Sequence, residues 1–349
     1  MSRTQSHRLP PAVVLGGGGL LVVLVFIVAS ARGAYAIGLD QLWSIVTGAL
    51  SGSAEPSAGQ LVFMNIRLPR LVLGAMAGAG LGLAGALMQG IFRNPLADPG
   101  LIGVSSGAAL AAGVTITLGS LWFGDLPRAL GSWTLVLAAF LGGLAVTALI
   151  YGLAQSEGGT RVSLMLLGGV AINALAGAGL GFLSFLATDE QLRSLQFWLL
   201  GSLGGARWSA VLLVSVIVLV AGAAGLALAR PLDALALGEA QAQLLGVDVE
   251  RIKRRAVLVT ALAVGAITAS TGIIGFIGLV APHGVRLLAG PGHRVVLPGS
   301  ALLGAALVLA ADAVARTAAA PADLPLGVLT AFVGVPFFLV LLRLLKGRI

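Results

Sequence analysis

Residues 67–113, RLPRLVLGAMAGAGLGLAGALMQGIFRNPLADPGLIGVSSGAALAAG, constrain the fold of this chain more than any other stretch. They read as two apolar helices joined by a short polar turn. In the first helix, small residues recur at every fourth position, at Gly74, Gly78, Gly82, Ala86 and Gly90. On a helix that spacing stacks them in one stripe, where a second helix can approach to backbone contact. Gly74, Gly78 and Gly82 are therefore expected at a helix–helix crossing. The turn FRNPLADPG holds the segment's only charges past Arg70, and its two prolines cannot continue a helix. The glycine ladder alone would fit any packed hairpin of a membrane protein.

The rest of the chain agrees with a membrane setting. Hydrophobic residues make up 58% and charged residues 10% of the 349 positions, against roughly 25% charged in a soluble domain. That length accommodates about ten spans of ~20 residues with short connections. Cysteine is absent, which removes disulfides and thiolate metal sites from consideration. His7, His283 and His293 are too few and too scattered for a metal cage, and no metal or cofactor is expected. The net charge of +8 sits in loops between apolar runs, a pattern of membrane topology rather than of nucleic-acid binding. No linker divides the chain, so residues 1–349 are expected to form a single transmembrane domain.

In order along the chain, spans are expected at about 12–31, 69–91, 99–119, 132–153, 163–187 and 208–229. A full span and a shorter one follow within 256–289, then spans at 295–316 and 324–345. Ala29-Ser30-Ala31 resembles a signal-peptidase site, but the preceding apolar run exceeds a signal core of 7–15 residues, and a retained first span is favoured. Leu39 to Trp43 suggests a short interfacial helix, with Trp43 in the aromatic belt. Between the fifth and sixth spans, TDEQLRSLQFWLLGSLGGARW is too polar at its start to cross and reads as a loop with a short amphipathic helix. Residues 231–255, PLDALALGEAQAQLLGVDVERIKRR, form the longest charged segment, with helical spacing on both sides of Gly246. The likeness of LADPGLIGVSSGAALAAG to RVVLPGSALLGAALVLAA carries little weight in a chain so rich in Ala and Gly.

Ten spans place both termini on one side. With that side cytoplasmic, fourteen of the 21 Lys and Arg lie inside, as the positive-inside rule requires. The turn RNPLADP and residues 231–255 are then cytoplasmic, whereas Arg67, Arg70 and Arg316 are outside as exceptions. The energy source is not resident. Lys253 and Lys346, the only lysines, have neither the glycines nor the following Ser or Thr of a phosphate-binding loop. Span interiors hold almost no ionisable residue to relay a proton. Asp312, the main candidate, lies four residues before Arg316 and is expected to pair with it. Gln89 and Asn173 are expected as interhelical hydrogen-bond glue, and His283 as a capping or headgroup contact.

The ordered wording RLPR…G…MQ…RNPLADPGLIGVSSGA resembles the FecCD-type permeases, the membrane subunits of ABC importers for iron-siderophores, haem and cobalamin. GFIGLVAPHGVR (275–286), HRVVLPGSALLGA (293–305) and DLPLGVLTAFVGVPFFLVLL (323–342) extend the resemblance over most of the chain past Arg67. It implies an all-α polytopic protein of about ten transmembrane helices, like the permeases of type II ABC importers. It also implies a homodimer in the inner membrane, two ABC ATPase subunits and one periplasmic substrate-binding protein. The chain itself would perform no covalent chemistry. LALGEAQAQLLGVDV resembles the family's ATPase-coupling loop, which carries over to Leu237, Gly238, Glu239, Ala242, Leu245, Gly246 and Val247 as contacts. On the opposite side the resemblance offers Arg67, Arg70 and Arg316 as docking charges for the binding protein; lipid phosphates are the plainer partner. The substrate class is haem, a ferric siderophore or cobalamin, with the wording QLRSLQFWLLGSLGG leaning to haem. An ion-coupled secondary transporter acting without an ATPase stands as the alternative.

Overall fold

A computed structural model describes residues 8–33, 57–122, 131–319 and 322–346, with the isolated positions 38, 43, 45 and 47. The interfacial helix expected from Leu39 and most of the loop after it lie outside the described residues. Among those described, every regular element is helical. The first helices are α1 (Pro11–Ala31), then a short helix Ala58–Val62 that continues through a π turn, Phe63–Arg67, into α2 (Leu68–Phe92), followed by α3 (Val104–Trp122), α4 (Trp133–Leu153) and α5 (Val162–Leu186). The short α6 (Asp189–Leu200), α7 (Trp208–Leu226), and the short α8 (Ala229–Leu235) and α9 (Glu239–Leu244) follow. The remainder is α10 (Val249–Thr271), α11 (Ile277–Ala289), α12 (His293–Ala318) and α13 (Leu326–Lys346). Ten of these helices overlap the ten expected spans, and among the described residues six are long and apolar enough by themselves to cross a membrane; α6, α8 and α9 lie between them.

Helix α2 is the axis of the bundle. Its apolar window is 78% buried, against 17% for α5 and 6% for α1. It packs on α12, α11, α10 and α7. Small residues make this possible. A Cβ on Gly78 would fall on the Gly304 carbonyl, one on Gly82 on the Ser300 carbonyl, and one on Gly85 on the Gly278 carbonyl. Gly74 is looser, its nearest neighbour being the Leu203 side chain. Where backbones meet this closely, dispersion between main-chain atoms replaces side-chain interdigitation.

Three boundaries differ from expectation, each for a local reason. The third span does not begin at residue 99. Asp98 accepts the Gly100 amide at 2.8 Å and starts a 3₁₀ turn, Pro99–Ile102. That turn ends on Gly103 at φ 77°, and only then does α3 begin. The sixth span stops at Leu226, and the chain turns directly into α8. The seventh starts earlier than 256. Asp248 caps α10 by accepting the Arg251 amide at 2.9 Å, so the charged residues 249–255 extend a membrane helix into the polar phase. The amphipathic α6 has a capping box, Thr188 with Gln191, which explains why so polar a start is helical.

Near the N-terminal end of α2, three loops are bonded together. The Ser202 amide donates to the Thr271 carbonyl at 2.7 Å and the Leu326 amide to the Gly201 carbonyl at 2.9 Å. These bonds join the connections after α6, after α10 and before α13. Phe276, at φ 66°, adopts a left-handed conformation uncommon for an aromatic residue, and α11 begins from it.

Candidate functional site

Two clusters of charged residues occupy opposite ends of α2, whose 25 residues span about 37 Å. At its C-terminal end the chain forms α8, α9 and the start of α10. Gly238, at φ 121°, precedes α9, and Gly246, at φ 80°, follows it. Both conformations favour glycine, so the two glycines fix where this segment turns. Leu232 and Leu235 of α8 are buried, as are Ala242 of α9 and Val249 of α10. Leu237, Leu244 and Leu245 point the other way, with Leu244 88% exposed. Three exposed leucines around one short helix make an apolar face.

Of the expected coupling residues, Leu237 and Leu245 lie on this face and Gly238 and Gly246 shape it. Ala242 does not reach it, being fully buried, and Val247 packs against the core. Glu239 does not stand free for a partner. Its carboxylate accepts a hydrogen bond from Lys253 at 2.8 Å. The helical spacing of this segment suggests Leu235, Leu237, Leu244, Leu245 and Val247 as its exposed apolar residues; Leu235 is buried, whereas Leu244 is the most exposed of the leucines.

Lys253 is 2% exposed, although it lies outside the apolar part of α10. Its ammonium donates to the Thr160 carbonyl at 2.8 Å, to Glu239 at 2.8 Å and to Glu250 at 3.3 Å. Glu250 in turn accepts the Thr160 amide at 2.8 Å and the Thr160 hydroxyl at 2.5 Å. Burial alone would raise the Glu250 pKa. The bonds from Thr160 and the nearby Lys253 ammonium outweigh it, and the carboxyl is held below its ordinary value. A second tie joins α8 to α12: Asp233 accepts the His293 amide at 2.8 Å and lies 2.7 Å from His293 Nδ1.

At the N-terminal end of α2, Arg67, Arg70 and Arg316 are 5%, 8% and 7% exposed. The expectation that they project from the surface is corrected by their partners. Arg70 donates to Asp312 at 2.9 Å and to Asp323 at 2.6 Å. Arg316 pairs with Asp312 at 3.0 Å, the expected contact one turn apart. Arg316 also donates to the Ala29 and Arg32 carbonyls, and Arg67 donates to the Ser30 carbonyl at 2.7 Å. The last-turn carbonyls of α1 have no intrahelical donor, and they carry the negative end of the helix dipole. Two guanidiniums satisfy both needs. The charges that defy the topology rule thus hold α1, α2 and α12 together. Only Asp323, with a side chain 42% exposed, brings this cluster to the surface.

Polar groups within the helices are also internally bonded. Gln89 donates to the Gly278 and Leu279 carbonyls and accepts from Arg286. Asn173 of α5 accepts from Ser106 of α3 at 2.6 Å. His283 meets the Phe337 ring edge-on, with centroids 5.9 Å apart. Among the described residues no three His, Asp or Glu side chains gather as a metal site. The α5 helix, by contrast, leaves Leu167, Val170, Leu175, Phe182 and Phe185 exposed, as α13 leaves Phe332 and Val333.

A bundle of apolar helices crossed at glycines, ending in a pinned segment with an exposed leucine face, has the architecture of a polytopic membrane protein. The chain matches the model of the FecCD transport family over residues 20–344, and it belongs to that family. It is 42% identical over 332 residues to the hemin transport system permease protein HmuU of Yersinia pestis, covering 95% of this chain and 96% of that protein. It is 44% identical over 305 residues to the cobalamin import system permease protein BtuC of Halobacterium salinarum, covering 86% and 79%. Its fold superposes at a TM-score of 0.82, with 31% identity over 95% of this chain and 98% of the other, on a metal-chelate type ABC transporter in an inward-facing conformation. The protein is an ABC importer permease, a multi-pass membrane protein.

Proposed function

We propose that this chain is the permease of an inner-membrane importer that carries haem, as a homodimer with two ATPase subunits and one periplasmic binding protein. Haem is chosen over cobalamin because the likeness to the hemin permease runs over nearly the whole of both chains. Both termini and residues 231–255 lie in the cytoplasm on this reading. The observation that carries it is the exposed leucine face of Leu237, Leu244 and Leu245, held out by Gly238 and Gly246 at the C-terminal end of α2. An apolar face of this kind, outside the membrane, needs a covering partner. An ATPase supplies one and explains how a chain without a phosphate-binding loop is driven.

Leu244→Asp tests the docking. The side chain is 88% exposed, so the fold is expected to survive while a charge enters the centre of the apolar contact. Co-purification of the ATPase should fall at least about tenfold, in line with the more than 1 kcal/mol commonly lost at a central interface residue. Undiminished assembly would remove α9 from the interface. Competition of haem and cobalamin for the cognate binding protein, followed by uptake, tests the substrate.

The opposite end is proposed as the face for the binding protein. Arg67, Arg70 and Arg316 hold its floor, and Asp323 with the edge of Arg70 forms its surface. An incoming carboxylate meets Arg70 first, in competition with Asp323. Asp312, paired with two arginines, is unsuited to shuttle protons. This disfavours the ion-coupled carrier, whose relays are unpaired carboxylates or histidines facing a cavity.

A further inference from the structure

The docking face and the α4–α5 connection are separate in sequence and are joined around the Lys253 ammonium, with Glu250 beside it. Thr160 and Lys253 lie 93 residues apart. Thr160 belongs to the turn after α4, closed by Ser156 and Gly159, and stands two residues before α5 begins. Glu239 is the first residue of α9, the helix whose far end bears Leu244 and Leu245. The Lys253 ammonium has three protons, and its three acceptors belong to α9, to the α4–α5 turn and to α10. Lysine stripped of water needs compensation from each acceptor it meets. Its Nζ therefore holds the three segments at fixed distances. Gln155 reinforces the turn by donating to the Thr160 hydroxyl at 2.9 Å.

The other anchor of this segment has a different target. Asp233 ties α8 to the first residue of α12, and α12 crosses α2 through Gly304 and Ser300 at backbone contact. That side is fixed to the most buried part of the bundle. The α5 side differs, since only 17% of the apolar window of α5 is buried within the chain, and its tightest contact is that of Gly169 with the Leu101 carbonyl. A force applied to α9 thus meets the most buried part of the bundle through α8 and one of its least buried helices through Lys253.

We propose that Lys253 is the positioning residue that transmits displacement of α9 by the docked ATPase to the inner end of α5. The proposal rests on the docking reading above. Without the ammonium, Glu250 still ties the α4–α5 turn to α10, but the bonds that carry Glu239 of α9 onto that turn are lost. An ATPase could then bind and hydrolyse ATP without shifting α5. The arrangement satisfies the physical requirement for coupling: a contiguous bonded chain from the driven element to the responding one.

The test uses the permease reconstituted with its ATPase and binding protein. Lys253→Met keeps the apolar stem and removes the charge. Glu239→Gln, at a carboxylate 37% exposed, weakens the same link with less risk to folding. The chain has no cysteine, so Leu167→Cys on exposed α5 gives a unique thiol whose modification rate reports that helix. In the parent protein ATP should change this rate. In either variant the ATP-dependent change should vanish, and uptake per ATP hydrolysed should fall at least about fivefold, the low end of typical coupling between sites. Co-purification of the ATPase should be retained. Normal uptake per ATP and normal ATP-dependent labelling in a folded variant would overturn the proposal. So would loss of ATPase binding in both variants, which would make Lys253 a support of the docking face alone. Should Lys253→Met fail to fold, Glu239→Gln decides by the same criteria. Failure of the docking reading is seen separately, as retained assembly in Leu244→Asp.

Discussion

Leucine at position 78 should leave almost no folded protein. A Cβ there already collides with the carbonyl group of Gly304 and the Cα of Ala305, and leucine adds three more carbons in the same direction. A side-chain neighbour could rotate away, but main chain cannot. Relief requires α2 and α12 to separate along the most extensive helix–helix contact among the described residues. Gly82 against Ser300, on the same pair of helices, would then lose contact as well. Overpacking by single methylenes costs about 1–3 kcal/mol where side chains can adjust. Here the loss should reach several times that, comparable with the ~5–15 kcal/mol total stability of a domain. Gly177→Leu is the control, since nothing lies within 4 Å of a Cβ at that position. Size-exclusion yield and thermal stability should collapse for the first variant and stay near normal for the second. Equal stability of the two would contradict the crossing.

Asp312→Ala should be the most damaging change to a charged residue. The carboxylate is 1% exposed and pairs with Arg70 at 2.9 Å and Arg316 at 3.0 Å. Arg67 lies close enough to Arg316 for mutual repulsion to matter. Removing Asp312 leaves Arg316 with backbone carbonyls alone and Arg70 with only the half-exposed Asp323. Breaking a buried pair by deleting one partner costs about 3–5 kcal/mol, because the other charge stays buried without compensation. The bond from Arg316 to α1 survives in such a variant, so the loss should appear at the α2–α12 junction. Adding Arg316→Met removes the orphaned charge and should recover part of the stability, which a double-mutant cycle reads as coupling. Thermal stability unchanged in Asp312→Ala would show that this cluster bears no load.

How much of this was legible in the sequence depended on whether the determining contact was local. The α2–α3 hairpin could be read because a ladder of small residues and a pair of prolines act within a few residues of themselves. The amphipathic α6 was legible for the same reason: Thr188 and Gln191 form its capping box. The start of α3 was misplaced because a 3₁₀ turn capped by Asp98 resembles the first turn of the helix that follows it. The arginines were misjudged for a non-local reason. The partner of Arg67 is 37 residues away and one partner of Arg316 is 287 away, so spacing suggests charges on a surface where the fold makes a buried tie. Glu239 repeats the lesson. Its place among the partner contacts came from the resemblance of this segment to the family's coupling loop, and its engagement depends on Lys253, which lies across a turn set by Gly246. The exposed leucines of α9 were partly legible, since a short helix cannot bury every side. Which residues faced out depended on how α8 and α12 are joined.

The central claim is that this chain moves its substrate only when an ATPase drives it. Proteoliposomes containing the purified chain, with and without its ATPase and substrate-loaded binding protein, test it most directly. Uptake should require all three proteins and ATP and should be insensitive to ionophores. Uptake by the chain alone, abolished when an ionophore collapses the ion gradient, would contradict it.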